Sequence, residues 1–306
     1  MVDATKGDAL RTFAVAGLQL ELGRGDNVDR LCAEIRTAKK RFPWLDMVVL
    51  GELNAYGTAL TNAEPAGGRV EQAFGRIARE TGLWLIPGSY YEERDGKIFN
   101  TAPVIRPDGE VITRYRKIFP FLPYESGVTP GESFVVFDVP GRGRIGVSIC
   151  YDIWFPETTR SLVWLGADVV VCPTLTNTID REVELAMVRA SAAMNQCYVF
   201  NVNACGALAF GRSMVCGPGG EVLHQATTGQ ELFPVELDFD HLARVRERGW
   251  HGLGQVLKSF RDNAVQFPPY VHGARSLTLD GLGALETPAG FSGVGVGVPD
   301  LKAAKT

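Results

Sequence analysis

An α/β fold of sheets layered with helices is predicted by three features of this 306-residue chain. Short β-rich runs alternate with helical stretches through its first two thirds. Two runs, Asp46-Met-Val-Val-Leu50 and Asp168-Val-Val-Val-Cys172, are apolar without alternation, as expected of strands covered on both faces. Others, at 97–103 and 220–224, sit near the turn signals Pro107-Asp-Gly109 and Gly217-Pro-Gly-Gly220 and read as antiparallel meander strands.

Taken in order, strands are predicted over 12–20, 45–50, 83–90, 98–105, 111–115, 133–137, 144–149, 168–172, 198–202, 213–216 and 232–237. Helical periodicity occupies 27–42, 70–81, 157–165, 181–195 and 239–247. No linker divides the chain before about residue 275. Residues 1–275 therefore read as one domain, and 276–306 as a tail rich in Gly, Ala and Val that packs on a neighbour or stays mobile. The tail's Gly293-Val-Gly-Val-Gly297 has the wrong glycine spacing for a dinucleotide loop, and no helix follows it.

Composition narrows the function. Hydrophobic residues make up 45% and charged residues 22%, an average globular balance, and the net charge of −4 includes no long run of one sign. Nothing here favours nucleic acid or an acidic membrane surface, so the expected partner is a small molecule. The first residues lack a secretory pattern, and no apolar run is long enough to span a membrane, which reads as a cytoplasmic chain. Six cysteines without a Cys-x-x-Cys pair read as reduced thiols. Four scattered histidines offer no ligand spacing, so neither metal nor cofactor is expected.

One of those thiols stands apart. Cys150 lies where the run Val147-Ser-Ile149 gives way to Tyr151, Asp152 and the turn-forming Pro156, a strand-to-helix turn suited to a nucleophile. A small buried core residue is the competing reading. With an ordinary pKa near 8.5 a thiol is only about 3% ionised at neutral pH, so a nucleophilic cysteine needs a base or a cation nearby. Histidine is the usual partner, yet none stands in a constrained motif. Two other strand ends supply alternatives. Glu52 follows 47–50 directly and Lys117 follows the strand ending in Tyr115, among apolar neighbours. Each could equally be an ordinary solvated side chain. Together they form a workable set: Glu52 takes the thiol proton, Cys150 attacks a carbonyl or nitrile carbon, and Lys117, with the backbone N–H of Tyr151, holds the charge that develops.

These residues resemble the nitrilase superfamily of carbon-nitrogen hydrolases, whose members use a Glu-Lys-Cys triad in this order. The likeness runs from about Phe13 to Leu237. Its strongest element is Cys150-Tyr-Asp-Ile-Trp-Phe-Pro-Glu157, followed by Arg116-Lys-Ile-Phe-Pro-Phe-Leu-Pro-Tyr-Glu125 with Pro130-Gly131. Arg189-Ala190, Asn195, Asn201-Val-Asn203, Gly211-Arg-Ser213 and Pro218-Gly-Gly220 add support by their order. Gly51 stands where many members carry proline, which makes the Glu52 motif the poorest match. The resemblance implies a four-layer α-β-β-α sandwich of two mixed sheets, an active site at the strand ends, and subunits paired as a homodimer or larger even-numbered assembly with the tail crossing to a partner. It also implies Glu125 as a fourth site residue that orients the lysine and the substrate nitrogen.

Tyr151 and Asp152 after the cysteine, where true nitrilases carry tryptophan and glutamate, point to a small amide as substrate, with water as the second reactant. An N-carbamoyl hydrolase, with Arg181 or Arg212 as the carboxylate anchor, a nitrilase, and a catalytically silent binding protein are the alternatives. Tyr56, Tyr124, Tyr151, Trp154, Thr174 and Asn177 flank the motifs or follow strands and are the expected pocket walls.

Overall fold

The computed structural model describes residues 11–122 and 124–285; the rest of the expected tail, with its 293–297 glycine run, lies outside the described residues. The strands in chain order are β1 (Thr12–Gln19), β2 (Met47–Leu50), β3 (Glu64–Pro65), β4 (Trp84–Ile86), β5 (Tyr90–Arg94), β6 (Lys97–Ile105) and β7 (Val111–Arg116). There follow β8 (Val135–Val139), β9 (Gly143–Val147), β10 (Val169–Thr174), β11 (Tyr198–Asn203), β12 (Met214–Cys216), β13 (Val222–Gln225) and β14 (Glu231–Asp238). One sheet has the order β14-β1-β2-β4-β6-β5-β3 with β7 also on β6; the other runs β13-β12-β11-β10-β9-β8. Both are mixed: β1, β2 and β4 pair in parallel, as do β9, β10 and β11 and the short edge pair β3 and β5, while the remaining pairings are antiparallel.

The two unalternating runs explain the layering. In β2, Met47 and Val49 face the core between the sheets, whereas Val48 and Leu50 face the core beneath α1 (Val28–Arg41) and α2 (Arg69–Thr81). In β10, Val169 and Val171 join the same inter-sheet core, and Val170 and Cys172 face α3 (Pro156–Trp164) and α4 (Arg181–Asn195). Because strand side chains alternate, a strand buried on both faces must be apolar at every position. Two sheets back to back with helices outside each give the α-β-β-α sandwich. No helix of the described residues is long and apolar enough to cross a membrane.

Three differences from expectation have local causes. The strand predicted over 83–90 is two strands, because Gly88 adopts φ +79° and a Cβ there would lie 1.8 Å from the Gly51 carbonyl oxygen. That close approach seats the segment after β4 against the segment that carries Glu52, and the Leu53 N–H donates to Ser89 Oγ at 3.1 Å. β3, a two-residue edge strand, is too short to leave a periodic signal. After α5 (Phe239–Arg248), α6 (Val256–Asp262) and α7 (Leu277–Asp280) were not expected; neither carries a buried residue, so core periodicity gave no sign of them.

Candidate active site

Glu52, Lys117 and Cys150 each leave the end of a strand, and the sandwich turns those ends toward one cavity of about 130 Å³. Glu52 follows β2, and its backbone N–H donates to the Thr174 carbonyl at the end of β10 at 3.1 Å, which ties the two sheets together at the cavity floor. Lys117 follows β7, with its own N–H on the Asn100 carbonyl of β6 at 2.8 Å. Cys150 begins a short 3₁₀ turn and has φ +46°, a left-handed conformation that a residue with a side chain adopts only at a cost. Such a turn lifts the thiol out of the strand and presents it to the cavity.

The Lys117 ammonium is 1% exposed and donates to Glu52 Oε1 at 2.8 Å and Glu125 Oε2 at 2.7 Å. Asn100 Nδ2 bridges the same two carboxylates at 2.8 and 3.1 Å. An ammonium has three N–H donors, so one is left for a further partner. The two carboxylates have separated environments. Burial pushes the Glu52 carboxyl above its ordinary range, and the opposing charge of Lys117 does not cancel it. Burial also works against Glu125, but Lys117, the Phe121 N–H at 2.5 Å and Asn100 outweigh it and hold Glu125 low. Two groups on one lysine, pushed apart in this way, suit one for proton transfer and the other for fixed charge.

Burial, with the nearby Glu52 charge, holds the Cys150 thiol well above its ordinary pKa, although Lys117 pulls the other way. The resting cysteine is therefore a thiol. It hydrogen-bonds the Glu52 carboxylate, the Leu175 N–H points at its sulfur, and Thr176 Oγ1 lies 3.8 Å from Sγ. A protonated thiol touching a carboxyl of raised pKa can pass its proton at the moment of attack. Among the described residues no cluster of His, Cys, Asp and Glu could hold a metal ion.

Of the expected wall residues, Tyr124, Tyr151, Trp154 and Asn177 line the cavity. Two do not. Thr174 is fully buried in β10 on the same side as Cys172, where its hydroxyl accepts from Asn201 Nδ2 at 2.8 Å. Tyr56 packs against the core beneath α1 and α2, with its hydroxyl donating to Glu64 Oε2 at 3.3 Å. The two arginines considered as anchors are also elsewhere: Arg181 is locked on Glu184 at 2.6 Å, and Arg212 pairs with Glu182. Residues that the sequence reading missed are Asn100 and Tyr91, which are cross-strand partners on β6 and β5. Tyr91 hydrogen-bonds Glu125, and burial beside the two carboxylates raises its phenol pKa. A polar Asn between Phe99 and the mostly apolar 101–105 stretch of the strand was the available signal.

Asp152 sits outside the cavity but holds it together. Its Oδ2 accepts from the Tyr115 hydroxyl at 2.7 Å and the Ile149 N–H at 2.8 Å, and its Oδ1 accepts from the Phe119 N–H at 3.0 Å. One carboxylate thus joins the lysine segment to the cysteine turn. Burial raises its pKa to about 6, against the three hydrogen bonds that favour ionisation. Above that pH it accepts all three; below it, one oxygen carries a proton among donors. Activity is expected to fall as pH drops through about 6. Asp152→Asn should lose roughly 10- to 100-fold in kcat, because the amide NH₂ must face a backbone N–H. A pH–rate profile from 5 to 8 should lose its inflection near 6 in this variant. An inflection that stays would belong to Glu52 instead.

Residues 13–247 match the carbon-nitrogen hydrolase family. Omega-amidase NIT2 of Mus musculus is 32% identical over 260 residues, covering 78% of this chain and 93% of that protein. Omega-amidase NIT2 of Danio rerio is 30% identical over 257 residues, covering 77% and 92%. Among solved structures, Saccharomyces cerevisiae Nit3, a member of branch 10 of the nitrilase superfamily, superposes with TM-score 0.72 at 27% identity, covering 78% of this chain and 94% of its own. A cysteine-to-alanine mutant of the amidase from Nesterenkonia sp. AN1, in complex with butyramide, gives TM-score 0.68 at 25% identity, covering 77% and 94%. With its fold, its strand-end cavity and these relatives in agreement, the chain belongs to the carbon-nitrogen hydrolases, in the amidase-like branch of the nitrilase superfamily.

Proposed function

We propose that this enzyme hydrolyses a small non-peptide amide to a carboxylic acid and ammonia through a thioester on Cys150. The observation that carries the reading is the Lys117 ammonium held by two buried carboxylates of divergent pKa beside a neutral thiol. In the first half-reaction Glu52 takes the thiol proton as Sγ attacks the amide carbon. The free N–H of Lys117 and the Tyr151 N–H hold the oxyanion, and each such donor is worth about 3 kcal/mol. Collapse breaks the C–N bond, and the proton on Glu52 leaves with the nitrogen as ammonia. Water then attacks the thioester, Glu52 accepts its proton, and the acid departs as the thiol is restored. Glu125 keeps Lys117 charged and in place throughout.

An amide suits this site because the attacked carbon expels a poor leaving group that needs a proton, and Glu52 has just acquired one. The relatives support that choice, since the mouse and zebrafish proteins are named omega-amidases and the Nesterenkonia amidase binds butyramide as its alanine mutant. The cavity's size limits the acyl part to a few heavy atoms. The carbamoyl amino acid alternative loses its support, because neither expected arginine reaches the cavity. Exposed Trp164, Ile179 and Leu253 are consistent with a further surface for subunit pairing in an even-numbered assembly.

Ammonia release from short amides, matched nitriles and carbamoyl amines tests the reading. Amides should be the best class, butyramide among them. Faster turnover of nitriles would make the protein a nitrilase, and no ammonia from any class would leave a binding protein on the same fold.

A further inference from the structure

The cavity carries a charge pattern that amide hydrolysis alone does not require. Its charged residues are Glu52, Lys117, Glu125, Asp180 and Glu184. Lys117 is the one cation among these described lining residues, and Glu52 and Glu125 occupy two of its donors. Arg181, next to Asp180 in sequence, spends its guanidinium on Glu184 Oε2 at 2.6 Å, Asn201 Oδ1 at 2.8 Å and the carbonyls of Gly211 and Arg212. A substrate carboxylate would therefore meet four carboxylates and no uncommitted cation.

The opposite charge would be received well. Glu184 is 1% exposed and lines the cavity from the first turn of α4; Arg181 binds its Oε2, while its Oε1 has no hydrogen-bond partner. A buried carboxylate oxygen without a donor is costly, and it is a ready acceptor for an N–H group. Asp180, half-buried one turn away, forms no ion pair among the described residues. The remaining wall includes Phe121, Tyr124, Tyr151 and Trp154, whose ring faces attract cations.

We propose that the amides taken by this site carry a protonated amine at the end away from the scissile carbon, received by Glu184 and Asp180, and that amides ending in a carboxylate are rejected. This rests on the amidase reading above and narrows it to a substrate class. The aromatic wall shields the amine's apolar stem, and Glu184 accepts its N–H.

The test uses the purified full chain and three amides of similar length: neutral butyramide, cationic β-alaninamide and the anionic monoamide of malonate. Ammonia release gives kcat/KM for each. β-Alaninamide should exceed butyramide by about tenfold, and the malonate monoamide should fall about tenfold or more below it. Asp180→Asn and Glu184→Gln should each shrink the cationic-to-neutral ratio toward one. Because the ratio is taken within each variant, a general loss of catalysis or packing cancels out. Asp180 is half-buried, so its variant remains informative even where Glu184→Gln loosens Arg181. The proposal is overturned by equal or better turnover of the malonate monoamide, by no advantage for β-alaninamide, or by unchanged ratios in both variants. Butyramide turnover in those cases leaves the amidase reading standing; silence from all three amides, with none from the wider amide panel, ends both.

Discussion

Cys150→Ala is expected to lower kcat for amide hydrolysis by roughly 10⁵-fold, or about 7 kcal/mol of transition-state stabilisation, with thermal stability little changed. The size of the effect follows from covalent chemistry. Without Sγ no thioester forms, and water has no comparable base and geometry from which to attack the amide directly. Alanine keeps the Cβ and accepts the left-handed backbone about as well as cysteine does, so the turn should survive. A companion measurement separates nucleophile from mere packing. In the native protein acrylamide should add to Cys150, which lines the cavity beside Glu52, ahead of Cys172, which is fully buried outside it. Since Cys150 rests as a thiol, labelling should be slow at neutral pH, should accelerate as pH rises, and should slow further in Glu52→Gln. Substantial ammonia release by Cys150→Ala would remove this residue from the chemistry altogether.

The strand ends were legible because their signal is local. An apolar run that stops at a glutamate or a cysteine announces both burial and chemistry within a few residues, and Glu52 and Cys150 have that form; Lys117 follows a strand that carries Arg114 and Arg116, and its signal is the apolar Ile118-Phe-Pro120 that comes after it. The layered class was legible for the same reason, from the fully apolar strands at Met47–Leu50 and Val169–Thr174. What escaped was set by register and parity. Asn100 and Tyr91 reach Glu52 and Glu125 only because β5 and β6 pair them directly opposite each other, which their separate neighbourhoods do not encode. Thr174 was expected at the cavity as a residue beyond a strand ending at Cys172. β10 continues through Thr174, and alternation puts it with Val170 and Cys172 on the helix-facing side, while Thr176, past the strand, takes the wall position. Asp152 was read as a mark of substrate preference. Its contacts make it a brace between two segments, which is a tertiary fact: Phe119 and Ile149 are far apart in the chain.

Lys117→Met should combine a catalytic loss with a stability loss that depends on pH. Methionine approximates the stem of lysine, so the packing change is small and the missing charge dominates. Removing the oxyanion donor lowers kcat by roughly 10²–10³-fold, with a further loss because Glu52 and Glu125 then repel one another. The stability change comes from those same carboxylates. In the native protein Glu125 is held below the ordinary carboxylate range, so it stabilises the fold above the pKa of an unfolded glutamate and loses that contribution as pH falls. Without Lys117 the folded-state pKa of Glu125 should rise above the unfolded value of about 4.3, and that of Glu52, already raised by burial, should rise further. Each carboxylate then favours the fold only while protonated, and stability declines as pH climbs through the raised values. The difference from the native protein should thus be small near pH 5 and reach about 3–5 kcal/mol near pH 8, because two buried charges have lost their partner. Glu125→Gln in the Lys117→Met background should restore part of that loss at pH 8 and none of the activity, since it removes a charge without returning a donor. Denaturant unfolding of the three proteins at both pH values measures this directly. A stability gap independent of pH would show that Lys117 contributes packing rather than charge, and an unchanged kcat would take it out of the oxyanion site.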